Sequence, residues 1–312
     1  MAERRYPLPL SPVRGPLSPS LAENAVLALG PAAKASRELL DAGRVAPDVL
    51  AGMTLLLLAG QASRAQPAKS ERGGPGRGVA GSVWVREHFT VHRPVRVGQM
   101  LEVTGAIQRD YSNGGRRYTV TLSETRSATG DLLASNCTTG LVRYRRDEEL
   151  PDSEEGLDED AIRRPALDIG AAAENPAIET LRALRVGDDV RGEVTRVGLE
   201  QMRARDGGQS RNPIHTDPEA ARQAGLVLPI VGGSHVFAYL QEALMRALRK
   251  QALLHGACFD LRWVAQVRAG TCVEPRATVS GASDDRVELD LEVGCEGRVA
   301  MTGSLAIPLP VT

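Results

Sequence analysis

Aromatic residues make up only 3% of this 312-residue chain: two tryptophans, five tyrosines and three phenylalanines. So sparse a set offers no base-stacking surface, and a formal net charge of -1 supplies no basic field. Nucleic acid is therefore not expected as a partner. Cysteine is equally scarce. Cys137, Cys258, Cys272 and Cys295 lie far apart and form no CxxC pair, so neither a zinc knuckle nor a disulfide framework is implied, and a reducing cytosol is expected. Long apolar runs are missing as well. The most apolar stretch, "VLAGMTLLLLAG" from Val49 to Gly60, falls well short of the roughly 20 residues that span a bilayer and reads as a buried helix. The start, "MAERRYPLPLSPVRGPLSPS", has positive charge but prolines where a secretion signal would have an apolar core. Residues 1–20 are expected to be a loose N-terminal arm.

What is present suffices for a sizeable core, since 42% of the residues are hydrophobic. The stretch "RDEELPDSEEGLDEDAIRRPA", Arg146 to Ala166, clusters acids and prolines without apolar periodicity, the composition of a solvated linker. With the linker taken as 147–174, it separates halves at 21–146 and 175–312. Each half reads as helix first and strands after. In the first, Leu21 to Leu58 is rich in Ala and Leu, with Ser20 as a cap and Glu23 three residues on. Then come "SVWVREHFTVHRPV", "QMLEVTGAIQRDYS", "RRYTVTLSETRS" and "LLASNCTTGLVRYR", alternating and β-branched as strands are. "SNGG" between the second and third is a hairpin signal.

The second half offers "RGEVTRV", a helix from about Ser234 to Leu254, then "CFDLRWVAQV", "CVEPRATVSGA", "RVELDLEVG" and "RVAMTGSLAIPL". A weak internal repeat links the halves: "VRVGQMLEV" (Val95 to Val103) and "VRAGTCVEP" (Val267 to Pro275) share V-R-x-G and a glutamate in register. A long helix wrapped by a curved antiparallel sheet, present twice, is the pattern of two hotdog repeats in one α+β chain.

Three groups of residues could carry chemistry. Gly76, Gly78 and Gly81 spell G-x-G-x-x-G, but dinucleotide binding needs that motif between a strand and a helix. Here a strand-like run follows it, so a surface loop is expected and no cofactor is implied. His88 and His92 lie four apart in a strand and share a face, yet no third ligand stands nearby in sequence, so no metal is expected. The third group is "SRNPIHTDPEAARQAGLVLPIVGGSHVFAYL", Ser210 to Leu240. Asn212-Pro213 forces an extended or turned backbone, Thr216 or Asp217 can cap the run "PEAARQAG", and Pro218 suits its first turn. His215 is thereby held at the mouth of a short helix. Gly232 and Gly233 immediately precede a long apolar helix, whose free amides can receive a developing oxyanion. A histidine that only satisfies a buried turn, and glycines that only permit close packing, are the alternative.

"NPIHTDPEAARQAGLVLPIVGGS" resembles the hydratase motif of the MaoC-like family, the (R)-specific enoyl-CoA hydratases and 3-hydroxyacyl dehydratases. "HFTVHRPVRVGQMLEV" and "GDLLASNCTTGLVRYR" are similar to strands of its N-terminal hotdog, so the resemblance covers most of the chain from about residue 20, omitting the acidic linker. It implies the double-hotdog layout, in which the first repeat helps house the acyl chain and the second carries the catalytic motif. The substrate it implies is an acyl-CoA or acyl-carrier-protein thioester of fatty acid or polyketide metabolism, which gains or loses water at its 2,3-position. No cofactor is needed, and the chain would be a cytoplasmic monomer of two hotdogs or a homodimer.

By that resemblance His215 is the catalytic histidine, Asn212 orders the loop, and the Gly233 amide polarises the thioester carbonyl. Ser234 and His235 would line the pocket. The sequence departs from the family at Ser210, which stands where the motif has its aspartate, and an irregular loop would be needed to bring Asp206 to His215 in its place. That departure leaves two other readings beside a hydro-lyase: a non-catalytic acyl-binding partner subunit, or a repurposed isomerase or cyclase.

Overall fold

The proline-rich start is structured: strand β1, Leu8–Pro16, pairs antiparallel with β3, Met100–Asn113. It runs from Leu8 opposite Ile107 to Pro16 opposite Met100, with its register shifting between Leu10 and Val13, around Pro12. Prolines remove ladder donors, so such a strand is tolerated only at the edge of a sheet, which is where β1 lies. The expectation of a loose arm is corrected to that extent. The coordinates are a computed structural model describing residues 7–51, 83–141, 169–205, 207 and 212–310. The glycine motif at Gly76–Gly81, the acidic stretch at 146–166, all but three residues of the apolar run at 49–60, Asp206 and Ser210 lie outside them.

The remaining strands are β2 Val83–Val91, β4 Arg116–Ser127, β5 Leu132–Leu141, β6 Asp189–Arg191, β7 Thr195–Arg196, β8 Ala257–Trp263, β9 Cys272–Ala282, β10 Arg286–Cys295 and β11 Arg298–Pro308. The helices are α1 Pro19–Leu29, α2 Lys34–Asp41, α3 Ile169–Ala172, α4 Ile178–Arg182, α5 Leu199–Arg205, α6 Pro218–Gln223 and α7 Gly233–Leu248. Residues 47–51 are also helical. The "SNGG" signal is a two-residue turn with Gly114 and Gly115 at φ 58° and 70°, the left-handed pair that matches strand twist. Helix α1 starts two residues earlier than the Ser20 cap would set it, because Pro19 occupies the first turn and Ser18 is the cap residue.

All strands join one antiparallel sheet in the order β1-β3-β4-β5-β2-β8-β11-β10-β9-β6, with β7 also on β9. The halves meet at β2 and β8, where Phe89 stands opposite Phe259. Backbone hydrogen bonds define the repeat. Gly98 and Gly270 both have positive φ and donate to Leu17 and Val197, which donate back to Gln99 and Thr271. In the same way Val45 donates to Val95 and Val231 to Val267, while Val97 and Ala269 donate to Gly43 and Pro229. Counting two residues on from Val45 and Val231 makes Pro47 the counterpart of Gly233, and Asp48 that of Ser234.

Helix α7 fills the core of the second half and is buried along most of its length. Phe237 packs edge-on to Phe259, which stacks on Phe89. The polar residues of α7 join the halves. Glu242 accepts from the amides of Ala35 and Ser36 at 2.5 and 2.9 Å and from Ser36 Oγ at 2.6 Å, so a carboxylate from the second half caps α2 in the first. Asp48, buried, bonds the guanidinium of Arg205 at the end of α5 and the side-chain amide of Gln241, whose Oε1 accepts from the Asp48 amide at 2.9 Å. No described helix is long and apolar enough to cross a membrane.

Candidate functional site

His215 closes a single 3-10 turn, Pro213–His215. The preceding Ile214 is fully buried with Ala221, Leu226 and Ile230, and its carbonyl accepts from the Ile230 amide at 3.2 Å. Helix α6 follows. Asp217 rather than Thr216 caps it, accepting from the amides of Glu219 and Ala220 at 2.8 and 3.3 Å, and Pro218 takes its first position. The histidine backbone is thus fixed on both sides.

The half-buried ring is oriented by hydrogen bonds. Nδ1 lies 2.7 Å from the Ile230 carbonyl. A carbonyl only accepts, so Nδ1 carries the proton and Nε2 its lone pair in the neutral ring. Nε2 receives the side-chain amide of Asn212 at 3.2 Å, the role of loop-orderer expected for that residue. In its neutral form the ring therefore presents Nε2 as the basic nitrogen, the form required of a general base.

The start of α7 lies against this nitrogen. A methyl group placed on Gly232 would stand 4.0 Å from both Cε1 and Nε2 of His215. His235 and Val236 both donate to the Gly232 carbonyl, while the amides of Gly233 and Ser234 have no partner among the described residues. Two free N–H groups at the positive end of a helix of sixteen residues can hold an anionic oxygen. Glycine lets Gly233 pack closely: a Cβ there would meet Trp84 at 3.1 Å and Trp263 at 3.2 Å, so the indoles would have to give by a few tenths of an ångström. The two indoles lie edge to face, 5.4 Å between centroids, and Trp263 Nε1 is buried without a partner among the described residues. Neither tryptophan was singled out from sequence. Their rarity was the only available signal.

His235 is brought to a different place from its neighbours. It is buried, stacks on Tyr239, and its Nε2 donates to the Ala28 carbonyl at 3.1 Å. Tyr239 donates to the same carbonyl at 3.3 Å, so both residues dock α7 on α1 rather than facing the His215 side. Asp206 and Ser210 stand between α5 and His215 in sequence and fall outside the described residues. Between them Gly207 is described, at φ 61°, where a Cβ would meet Asn24 of α1 at 2.8 Å. His88 and His92 have separate partners: His88 lies 3.4 Å from Asp260, and His92 bonds Ser135 at 2.9 Å.

Two buried groups set a pH dependence. Burial, with the Arg205 charge next, pushes His235 down to about 3. Burial pushes Glu87, on β2, up to about 8. The unfolded chain protonates His235 below 6.5 while the fold keeps it neutral, so stability falls as pH drops from 6.5 toward 3. Glu87 ionises above 4.5 when unfolded but only near 8 when folded, so stability falls as pH rises from 4.5 to 8. Between 4.5 and 6.5 the two slopes, each about 1.4 kcal/mol per pH unit, oppose each other. Burial also lowers His255, which adds a loss toward acid pH. Denaturant titrations are therefore expected to give a shallow dependence between 4.5 and 6.5, tilted down on the acid side, with steeper losses beyond both ends. Glu87→Gln removes the alkaline loss; an unchanged alkaline slope in that variant would contradict the assignment.

Residues 205–296 match the family model described as MaoC like domain. Among solved structures, a MaoC-like dehydratase aligns over 95% of both chains with a TM-score of 0.68 and 17% identity. A conserved hypothetical protein from Mycobacterium tuberculosis, described as having a double hotdog fold, aligns over 96% of both chains at 0.64 and 14%. HtdX, also from Mycobacterium tuberculosis, aligns over 95% of this chain and 99% of its own at 0.59 and 14%. No curated protein matches by sequence. The fold is the double hotdog, and its second half carries the motif region.

Proposed function

From a chain whose residues 205–296 are a MaoC-like domain on a double hotdog, we propose a hydro-lyase that adds water to, or removes it from, the 2,3-position of an acyl thioester. The observation that carries the proposal is the basic Nε2 of His215 held beside the start of α7, where two amides are unspent.

In the hydration direction, Nε2 takes a proton from water as the water oxygen bonds C3 of a trans-2-enoyl thioester. The electron pair of the double bond moves through C2 to the thioester oxygen. The amides of Gly233 and Ser234 receive that charge, and a proton delivered to C2 completes the addition. Asp206, one residue beyond α5, is the nearby carboxyl group in sequence for the delivery step, and the proton left on Nε2 then passes to its carboxylate, restoring both groups; Ser210 contributes only a hydroxyl to hold water.

Incubation with a trans-2-enoyl-CoA is expected to bleach the conjugated enoyl absorbance and yield the 3-hydroxyacyl product. The repurposed isomerase or cyclase reading predicts something else, exchange of α-deuterium from a saturated thioester without hydration. Exchange with no hydration would replace this proposal with that one.

A further inference from the structure

The two halves of the sheet line their inner faces differently: the first carries a polar cluster among its apolar residues. In the second half β10 turns Val287, Leu289, Leu291 and Val293 inward, all buried in the main core. In the first half the face is fixed by Phe89, which packs with Phe259 against α7. Directly paired residues share a face, so Asn136 opposite Phe89 and Thr138 opposite Glu87 lie on it, as do Ser123 opposite Asn136 and Thr125 opposite Ala134. Alternation adds Glu87, two residues from Phe89. All five polar side chains are buried.

They satisfy one another incompletely. Glu87 accepts from Asn136 Nδ2 at 2.6 Å and bonds Thr138 Oγ1 at 3.2 Å. Asn136 Oδ1 and Thr125 Oγ1 have no partner among the described residues. A face needed only for packing would be more stable if apolar, as β10 is, because each buried polar atom without a partner costs its hydration. The apolar cluster of this half, Tyr111, Val120 and Cys137, is on the opposite face, since Leu122, paired with Cys137, alternates with Ser123.

A route joins these residues to the start of α7. Trp84 lies against Gly233 and opposite Gly140, itself opposite Thr119. Among the described residues a Cβ on Gly140 would meet only Thr119 Oγ1, at 3.8 Å, so there is room for a methyl group opposite Trp84. Glu87 is three residues further along β2, about 10 Å in.

We infer that Glu87, Asn136, Thr138 and Thr125 form a subsite for a hydroxyl group carried on the distal part of the acyl chain, an inference that rests on the thioester reading above. Asn136 Oδ1 accepts from the hydroxyl, and Thr125 Oγ1 donates to it. A plain alkyl chain leaves both atoms unpaired and is disfavoured. Glu87, kept neutral at pH 7 by burial, adds no charge that would demand a cation: in that form Oε1 still accepts from Asn136 Nδ2, and Oε2 carries the proton and donates it to Thr138 Oγ1.

The test is calorimetric binding of saturated medium-chain acyl-CoA thioesters, matched in length, with and without a terminal hydroxyl. The hydroxylated member of at least one pair is expected to bind wild type about tenfold more tightly, the value of one well-made hydrogen bond. Asn136→Leu combined with Thr125→Val should abolish or reverse that preference with alkyl binding retained; the wild-type comparison decides even if this variant fails to fold. Equal affinities in every pair overturn the subsite and leave the hydratase reading intact. A preference without enoyl-CoA hydration keeps the subsite and removes the hydratase. Failure of every thioester to bind removes both.

Discussion

His215→Ala is expected to lower the rate of enoyl-thioester hydration by about 10²–10⁴-fold, the usual contribution of a positioned general acid or base. The reason is the ring's tautomer: the Ile230 carbonyl keeps the proton on Nδ1, so Nε2 carries the lone pair of the neutral ring. A base that acts only as water attacks is felt in the transition state, so kcat should fall with KM nearly unchanged. The fold should tolerate the change, because Ile214 rather than the half-buried imidazole anchors this turn in its apolar cluster. Asn212→Ala, which removes the amide held 3.2 Å from Nε2, should cost less than His215→Ala. The measurement is steady-state hydration by purified variants whose melting transitions match wild type. An undiminished rate in His215→Ala would remove the histidine from the mechanism. A chain that only binds thioesters would instead keep its affinity in the variant and lack turnover in wild type.

Asp48→Ala is expected to destabilise the fold by about 3–5 kcal/mol, the range for removing one partner of a buried ion pair. Arg205 and Asp48 have side-chain exposures of 11% and 2%, so the guanidinium left behind has little access to water. Gln241 loses the acceptor of its side-chain amide at the same time, while the bond from the backbone N–H of residue 48 to its Oε1 is kept. Set against the 5–15 kcal/mol typical of a whole domain, the loss is large. Arg205→Met added to Asp48→Ala should recover part of it, since an apolar pair avoids the stranded charge. Denaturant midpoints with unchanged slopes would measure both effects; a loss below about 1 kcal/mol in Asp48→Ala would show that the pair contributes little. Activity should fall as well, because Arg205 ends α5 immediately before the loop that leads to His215.

Much of the scaffold was legible in the chain because its signals are local. Asn113-Gly114-Gly115 supplies the turn chemistry of a hairpin whatever surrounds it. Asp217-Pro218 caps a helix using two adjacent residues, and the run from Cys272 to Ala282 alternates as β9 does. The His215 loop was legible for the same reason. What escaped depends on contacts between residues far apart in sequence. Asp48 meets Arg205 across 157 positions and Gln241 across 193, and nothing near any of the three announces the others. The role of His235 escaped because its neighbour Gly233 opens toward Trp84, whereas the helix turns His235 toward Ala28. Strand β1 was missed because prolines argue against a strand unless its edge position is known. Glu87 and Asn136 sat in runs correctly read as strands, but which face of those strands is inward is set by the partner strand and α7.

The correspondence between Pro47 and Gly233 bears on why the two hotdogs share one polypeptide. In a symmetric dimer of single hotdogs the same residues would begin both central helices, and every change made at one would be imposed on the other. Two hotdogs in one chain are free of that constraint. One helix start has a glycine whose amide has no partner among the described residues, while the other has a proline, which has no N–H to offer, followed by an aspartate committed to Arg205. A single chain can thereby hold one reactive end and turn the other into its anchor, and a thioester drawn to an open helix start would find only one orientation in which to lie.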